Sequence, residues 1–395
     1  MSLSSSRLTI LKLAVAQLFY SSVIIMVFAS AGIVGLTLAP DRSLATLPPS
    51  AFYVGSILST IPASFLMQRF GRKPVFILGA IIGALGSVLA VWSILHGQFW
   101  VFCIAVLLHG IFQATSNFYT FAASEAAGPE DKSVAISWVL TGGVIAAIVG
   151  TRSSSFSADY WAPYTYAASY VVSAAFALVN VAIVATTALP PLKKAEIAGP
   201  QRSWAELLRQ PRLVVAMIAG AVSYGLMSFM MTAGPVAMTI CGFNHSASST
   251  VLQWHVLGMY VPSFFTGLLI KRYGVGLITG IGMVIMVAAG VTGLLGISIM
   301  HFSAALVLLG LGWNFGFIGG TTMLTQCYRP QERGKVQGVN NFAVSGLQTI
   351  ASFSSGGMLA QWGWNAVPLL VIPVALVVLS LLLWLLARHP AAEAV

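Results

Sequence analysis

Charge is scarce in this chain. Only 7% of its 395 residues are charged and nine are acidic, whereas soluble domains carry about 25% charged residues. Hydrophobic residues make up 58% of the sequence and form long continuous runs. A helix needs about 20 apolar residues to cross a bilayer, and several runs exceed that length. The composition excludes a soluble globular domain and predicts an all-α membrane protein with many spans.

Cysteine is also rare. Cys103, Cys241 and Cys327 have no CxxC spacing and fall on or near different apolar runs, so we expect no disulfide framework. The sequence contains no HExxH, no GxSxG and no phosphate-binding GxxxxGK[ST] loop, which are signatures of hydrolases and nucleotide-binding enzymes. We therefore predict that the chain is not an enzyme and has no resident cofactor.

The apolar runs predict twelve spans, so both termini lie on the same side of the membrane. If that side is cytoplasmic, every basic residue except Arg42 and Arg152 falls inside, as the positive-inside rule requires. The net charge of +10 therefore reflects membrane topology, and we expect no nucleic-acid partner. The predicted spans are 10–38, 50–68, 74–95, 99–123, 133–152, 163–189, 212–240, 247–270, 275–299, 302–326, 336–358 and 365–388.

An internal repeat divides the chain. PASFLMQRFG at 62–71 corresponds to PSFFTGLLIKRYG at 262–274, and PEDK at 129–132 corresponds to PQER at 330–333. We predict an N-terminal six-helix half at 1–189, a cytoplasmic linker at 190–211 and a C-terminal six-helix half at 212–395. Such repeats are typical of transporters that bind substrate between the halves, near the middle of the bilayer.

The loop QRFGRKP at 68–74 resembles the basic loop signature of the major facilitator superfamily. The resemblance implies the major facilitator fold, with twelve transmembrane helices in two six-helix halves related by a pseudo-two-fold axis. It also implies that Arg69, Gly71, Arg72 and Lys73 form a cytoplasmic latch. The arginines would pair with acids and helix ends, and the glycine would permit the tight turn. Gln68 stands where that signature usually has an acid.

Soft potential metal ligands occur in the seventh and eighth spans. Met227 and Met231 are four residues apart, as are His255 and Met259, so each pair shares one helix face. Thioethers suit Cu(I), and imidazole suits copper and other metals. Packing is the alternative explanation, because Met fills irregular core gaps and a neutral imidazole can bond to a backbone carbonyl. Cys241, after the seventh span, either captures an ion or acts as a small apolar residue.

These two motifs, MxxxM at 227–231 and HxxxM at 255–259, resemble those of the CcoA-type copper importers. These are bacterial inner-membrane carriers that supply copper for assembly of cbb3-type cytochrome c oxidase. The resemblance implies copper import by alternating access, with both termini cytoplasmic. It implies copper as transported substrate, bound by Met227, Met231, His255 and Met259, with Cys241 assisting entry. A cytoplasmic copper chaperone would then receive the ion, and we expect a monomer in the lipid bilayer.

Two other functions remain open. Members of the same wider family without the Met/His motifs carry riboflavin, so the chain could carry a small organic solute. In that case the Met and His residues are dispensable and aromatic residues line the cavity. The second alternative is a transport-inactive metal sensor or assembly partner, which binds without flux. Four further residues are expected to be polar groups of the cavity: Asn117, Tyr119, Trp313 and Asn314.

Overall fold

The computed structural model describes residues 3–40, 44, 47–189, 200–243 and 245–388. Within these ranges the chain forms fifteen α-helices and no strand. In chain order the helices are α1 (Leu3–Leu38), α2 (Leu47–Phe70), α3 (Arg72–Leu95), α4 (Phe99–Ser116), α5 (Tyr119–Ala126), α6 (Lys132–Ser157), α7 (Ala167–Thr186), α8 (Trp204–Leu208), α9 (Pro211–Ile240), α10 (His245–Tyr260), α11 (Ser263–Tyr273), α12 (Val275–Leu294), α13 (Ile299–Thr325), α14 (Arg333–Trp362) and α15 (Ala366–Arg388).

Ten segments of the described chain are long and apolar enough to cross a membrane. They include α4 and α5 together, as the single segment Phe99–Ala126. The two remaining predicted spans correspond to α10 with α11, where neither helix alone is long enough, and to α14. Helix α14 has 30 residues, but its many Gly, Ser, Asn and Gln residues make it less apolar. The five-residue α8 is too short to cross.

Two predicted spans are interrupted where we expected continuous helices. The span 99–123 breaks at Asn117–Phe118, where the amide of Phe118 bonds to Thr115 O, three residues back, at 3.2 Å. This is the tighter bonding of a 3₁₀ turn. The span 247–270 breaks at Val261–Pro262, because proline has no amide hydrogen to continue the ladder. The spacing of apolar residues in the sequence does not predict either break.

The chain divides into two compact units. The first comprises Met1–Ala127, Val139–Lys193 and Gln337–Ser345; the second comprises Gly128–Trp138, Lys194–Val336 and Gly346–Val395. The two units are defined by spatial contacts, whereas the halves 1–189 and 212–395 are inferred from the sequence repeat. The division into these halves therefore stays a prediction. Residues 190–199 of the predicted linker lie outside the described residues.

Within the first unit, α4 packs against α2 and α3. Glycine makes the approach close: a Cβ on Gly83 of α3 would lie 2.5 Å from the Phe112 ring, and one on Gly110 of α4 would collide with the backbone of α2 at Phe52. Small residues allow this packing in membranes, where the hydrophobic effect no longer drives helices together. Helix α4 therefore packs closely against two neighbours, α2 and α3.

Helix α13 has the corresponding place in the second unit, where α9, α10 and α12 pack against it. A Cβ on Gly310 would lie 2.6 Å from His255 O and 2.8 Å from Met259 N of α10. A Cβ on Gly312, on another side of α13, would lie 2.7 Å from the Met286 side chain of α12. Side chains next to these contacts are thus held by backbone-to-backbone packing.

Charged groups of the second unit pair outside the membrane segments. Arg202 donates to both carboxylate oxygens of Glu332, at 2.7 Å from Nε to Oε1 and 2.5 Å from Nη2 to Oε2. The Glu332 side chain is fully buried, and it also accepts from the amides of Arg202 and Arg329. The fork of guanidinium hydrogen bonds lowers the pKa of the Glu332 carboxyl to about 2. This pair fixes the segment before α8 to the turn before α14.

We predict that Glu332→Gln lowers the free energy of unfolding by about 3 kcal/mol, because it leaves the Arg202 cation without its buried partner. The lowered pKa also fixes the sign of the pH dependence. The carboxylate contributes stability above its ordinary pKa of 4.5 and loses it as the pH falls towards about 2. Thermal unfolding of the detergent-purified protein between pH 6 and pH 2.5 measures both effects.

The matched control is Glu206→Gln, whose exposed carboxylate completes the N-terminal capping box of α8 with Ser203. Its removal is expected to cost less than about 1 kcal/mol. If Glu332→Gln unfolds with the same acid dependence as the unmodified chain, the ion pair is not the source of that dependence.

Candidate functional site

The basic loop after α2 forms an ion pair inside the first unit. Gly71 adopts φ +88° at the start of α3, a conformation that side chains other than glycine's rarely adopt. This turn directs Arg72 to Glu125 at the end of α5, at 3.0 Å from Nε to Oε2 and 2.5 Å from Nη2 to Oε1. Gln337 of α14 accepts from Arg72 Nη2 at 2.7 Å and donates to Glu125 at 3.3 Å. An arginine–acid pair is the chemistry expected of the predicted latch.

The other predicted latch residues are placed differently. Arg69 is exposed and lies over the Phe70 ring at 5.3 Å, and Lys73 is half-buried. In the second unit, Gly274 adopts φ +89° at the start of α12. The turns at Gly71 and Gly274 thus share one backbone conformation, as the sequence repeat predicts. Whether the loop acts as a latch during transport stays a prediction.

Met227 and Met231 lie in the central part of α9. Met227 is 3% exposed and Met231 is half-buried. The two other methionines of this stretch, Met230 and Met238, are fully buried. Burial of this kind is what core packing by methionine produces, so the MxxxM spacing arises here without requiring a ligand.

His255 and Met259 occupy buried positions on α10. The imidazole Nδ1 of His255 donates to the backbone carbonyl of Leu306 on α13 at 2.6 Å, because the carbonyl can only accept. In the neutral ring Nε2 then carries a lone pair, and this buried atom has no hydrogen-bond partner among the described residues. Met259 is 5% exposed, and its carbonyl accepts from Asn314 Nδ2 of α13 at 2.7 Å. His255 therefore presents one open acceptor.

Cys241 follows the last residue of α9 and is a free, half-buried thiol. Asn244, which the sequence places nearby, lies outside the described residues. In the described part of the chain, no three His, Cys, Asp or Glu side chains come together as a group that could hold a metal ion. The role of Met227, Met231, His255, Met259 and Cys241 as ion ligands stays a prediction.

An aromatic cluster surrounds Trp313 in the second unit. The Trp313 ring stacks on Phe317 with a centroid distance of 5.2 Å and an interplanar angle of 9°. Tyr224 of α9 meets both rings edge-on at 5.2 Å, and Tyr260 of α10 meets Trp313 edge-on at 5.8 Å. Trp313 is 1% exposed, whereas the other three rings are half-buried. The aromatic cluster therefore has an accessible side and a buried base.

The polar residues that were expected to line a cavity are placed in two ways. Asn314, expected to line a cavity, instead joins helices: its Nδ2 donates to Ser263 Oγ at 2.6 Å and its Oδ1 accepts from Thr266 Oγ1 at 2.6 Å. Tyr119, in the first unit, likewise donates to Asn180 at 3.0 Å. Trp313 Nε1 is buried with no hydrogen-bond partner in the described chain. Indole N–H groups usually find an acceptor when buried, so this donor is unsatisfied among the described residues.

Sequence reasoning singled out Trp313 but missed Tyr224, Tyr260 and Phe317. Trp313 and Phe317 are four residues apart and share a helix face, which is a signal that the sequence contains. Tyr224 and Tyr260 reach the cluster from two other helices, and nothing in their own local sequence indicates this.

Comparison with known proteins gives three findings. The family model for the Major Facilitator Superfamily matches residues 13–259 and 216–395. The riboflavin transporter RfnT of Brucella anthropi is 41% identical over 396 residues, which cover 99% of each chain. The uncharacterized MFS-type transporter YddS of Bacillus subtilis is 25% identical and covers 94% of this chain and 92% of its own length.

Among solved structures, the fucose:proton symporter FucP of E. coli superposes with a TM-score of 0.76. The match covers 96% of this chain and 99% of that one at 14% identity. At such low identity the likeness concerns the fold alone. The prediction of an all-α, twelve-helix major facilitator fold is confirmed.

The prediction of copper import for cytochrome oxidase assembly is wrong. The full-length relative at 41% identity is a riboflavin transporter, which favours the small-solute alternative. The error has a physical reason. Methionines four residues apart serve helix packing as readily as metal binding, and Met227 and Met259 are both buried here. Spacing alone could not separate the two uses.

We predict that Arg72→Lys lowers the free energy of unfolding by about 1.5–3 kcal/mol, the usual worth of a hydrogen bond to a charged group. Lysine cannot reproduce the two-point contact of a guanidinium with Glu125. Arg69→Lys is the matched control, because Arg69 is exposed in the same loop. Denaturant unfolding monitored by tryptophan fluorescence compares the stability of the two variants. Equal effects of the two substitutions would show that the Arg72–Glu125 pair is not the source of the stabilisation.

We predict that Gly310→Ala destabilises the second unit by about 1–3 kcal/mol, the usual cost of overpacking. The added Cβ meets backbone atoms of His255 and Met259, which cannot turn away. Gly220→Ala is the control, since a Cβ at Gly220 has no atom within 4 Å and alanine favours helix. Thermal unfolding should separate the variants, and a Gly310→Ala protein as stable as Gly220→Ala would show that α13 and α10 can separate at no cost.

Proposed function

The chain belongs to the major facilitator superfamily, and on that premise we propose that it carries riboflavin or a close flavin analogue across a bacterial cytoplasmic membrane. Transport proceeds by alternating access, in which the two halves rock about a central substrate site. The basic loops put the termini and the linker on the cytoplasmic side. We also propose that the chain is a carrier with no enzymatic step.

The observation that carries the proposal is the 41% identity with a riboflavin transporter along 99% of both chains. The match spans every membrane segment described here. The relative and this chain therefore have the same set of helices available for a binding site.

The aromatic cluster supports the same solute class. The isoalloxazine ring of riboflavin is planar and aromatic, and aromatic rings prefer offset-stacked or edge-to-face arrangements with centroids about 4.5–7 Å apart. Half-buried Tyr224, Tyr260 and Phe317 provide such faces and edges around Trp313. We propose that the flavin ring binds against this cluster in the second unit.

The open polar atoms fit a flavin ring as well. Its pyrimidine portion has carbonyl oxygens that accept and an N–H group that donates hydrogen bonds. In the second unit, Trp313 Nε1 is an open donor on α13 and His255 Nε2 is an open acceptor on α10. A ligand that bonds to both atoms removes the cost of leaving them buried without partners.

Under this proposal, the residues that were predicted to bind a metal have other roles. Met227 and Met231 supply apolar surface on α9 and no obligatory contact, so conservative replacement by leucine preserves uptake. His255 keeps a role as a hydrogen-bonding group, since its Nδ1 is already used by the Leu306 carbonyl.

We predict that Trp313→Phe raises the KM of riboflavin uptake about fivefold to tenfold, because it removes the Nε1 donor and part of the stacking surface. Phe317→Leu should act in the same direction. The measurement is uptake of radiolabelled riboflavin by proteoliposomes containing the purified variants. Lumichrome, the ring without its side chain, should compete for uptake, and ribitol should not.

Met231→Leu is the matched control, a half-buried residue of α9 whose replacement should leave the KM unchanged. Protein amount in the membrane is measured for each variant. The proposal is overturned if the unmodified carrier takes up no riboflavin, or if Trp313→Phe and Met231→Leu transport it equally well. Competition by ribitol and not by lumichrome would place recognition away from the aromatic cluster.

A further inference from the structure

A cavity lies in the second unit, and no residue of the aromatic cluster lines it. Its volume is about 360 Å³. It is formed where α9 and α12 begin and where α13 and α15 end, beside the residues that follow α8. The ends of four membrane helices thus surround it.

The polar wall of the cavity is positively charged. Arg209 and Arg212 line it, and no acidic residue is among the described residues that do so. Arg212 Nη2 donates to Gln326 Oε1 at 2.6 Å, which orients the guanidinium. The nearby acids are engaged elsewhere: Glu332 binds Arg202, and Glu206 caps α8.

Two helix N-termini and two helix C-termini meet at this cavity. Helix α9 begins at Pro211 and α12 begins at Val275, and both residues line the cavity. The positive ends of helix dipoles favour anions. The negative ends of α13 and α15 lie at the same cavity and offset this effect. The two cationic side chains are therefore what makes the cavity complementary to a phosphate group.

The remaining wall is apolar. Leu382, Leu385 and Leu386 of α15 line it, together with Met323 of α13. Only 28% of the most apolar stretch of α15 is buried within the protein, the smallest share among the ten candidate spans. Its Leu383 and Trp384, which adjoin the lining residues, are 57% and 41% exposed. An acyl chain can therefore pass from the cavity along the exposed face of α15.

We propose that this cavity binds an anionic phospholipid of the cytoplasmic leaflet, with the phosphodiester between Arg209 and Arg212. The first part of the acyl chain lies against Leu382, Leu385 and Leu386. Basic pockets between membrane helices on the cytoplasmic side bind anionic headgroups in this way. A soluble phosphate would satisfy the arginines but would leave the leucine wall in water, so the combined surface favours a lipid.

Native mass spectrometry of the full chain in mixed micelles tests the proposal. The micelles contain equal amounts of phosphatidylglycerol and phosphatidylcholine. The unmodified chain should retain one phosphatidylglycerol molecule in preference to phosphatidylcholine. Arg209→Gln should weaken that retention about fivefold, the effect of one cation near an anionic membrane surface. Leu386→Trp, which fills the cavity and keeps both arginines, should weaken it as well.

Arg272→Gln is the control, because Arg272 is an exposed cation at the end of α11 and does not line the cavity. Its lipid retention should match that of the unmodified chain. Equal retention of the two lipids would overturn the proposal, as would an Arg272→Gln effect as large as that of Arg209→Gln. Displacement of the lipid by 10 mM inorganic phosphate would also overturn it in favour of a general anion site.

Discussion

The hydrocarbon interior of a bilayer offers no hydrogen-bond partners, so a polar group within a span must find its partner in the protein. Most such groups here bond across helices: Asn314 links α13 to α10 and α11, and Asn180 links α7 to α1 through Ala16 O. Trp313 Nε1 and His255 Nε2 are two of several buried side-chain atoms in the described chain that have no hydrogen-bond partner there. Exceptions of this kind are where a transported solute gains most from binding.

The same constraint moves the ion pairs to the ends of the helices. Arg72 pairs with Glu125 in one unit and Arg202 with Glu332 in the other, each next to a turn between membrane segments. Both pairs use a guanidinium fork, which holds its partner in a defined geometry better than an ammonium group does. The ends are therefore fixed by charge, and the interiors by glycine contacts and shared hydrogen bonds.

The fold could be predicted from the sequence because its determinants are local. Apolar run length gives the spans, and glycines after basic clusters give the turns at Gly71 and Gly274, which adopt nearly the same φ. The breaks after Asn117 and at Pro262 depend on hydrogen bonding within one turn, which average hydropathy does not register. Those breaks change helix continuity and leave the number of crossings as predicted.

The binding site could be predicted only in part because its determinants are not local. A ladder of methionines at helical spacing looks the same whether it packs or binds metal, and the choice between them depends on what surrounds each side chain. The aromatic cluster combines residues from α9, α10 and α13, of which Tyr224 and Trp313 are far apart in sequence. Met227 and Met259 are enclosed, whereas Tyr224, Tyr260 and Phe317 keep an accessible side, as does Met231. A solute reaches accessible faces, so the aromatic rings are better placed than Met227 and Met259 to select it.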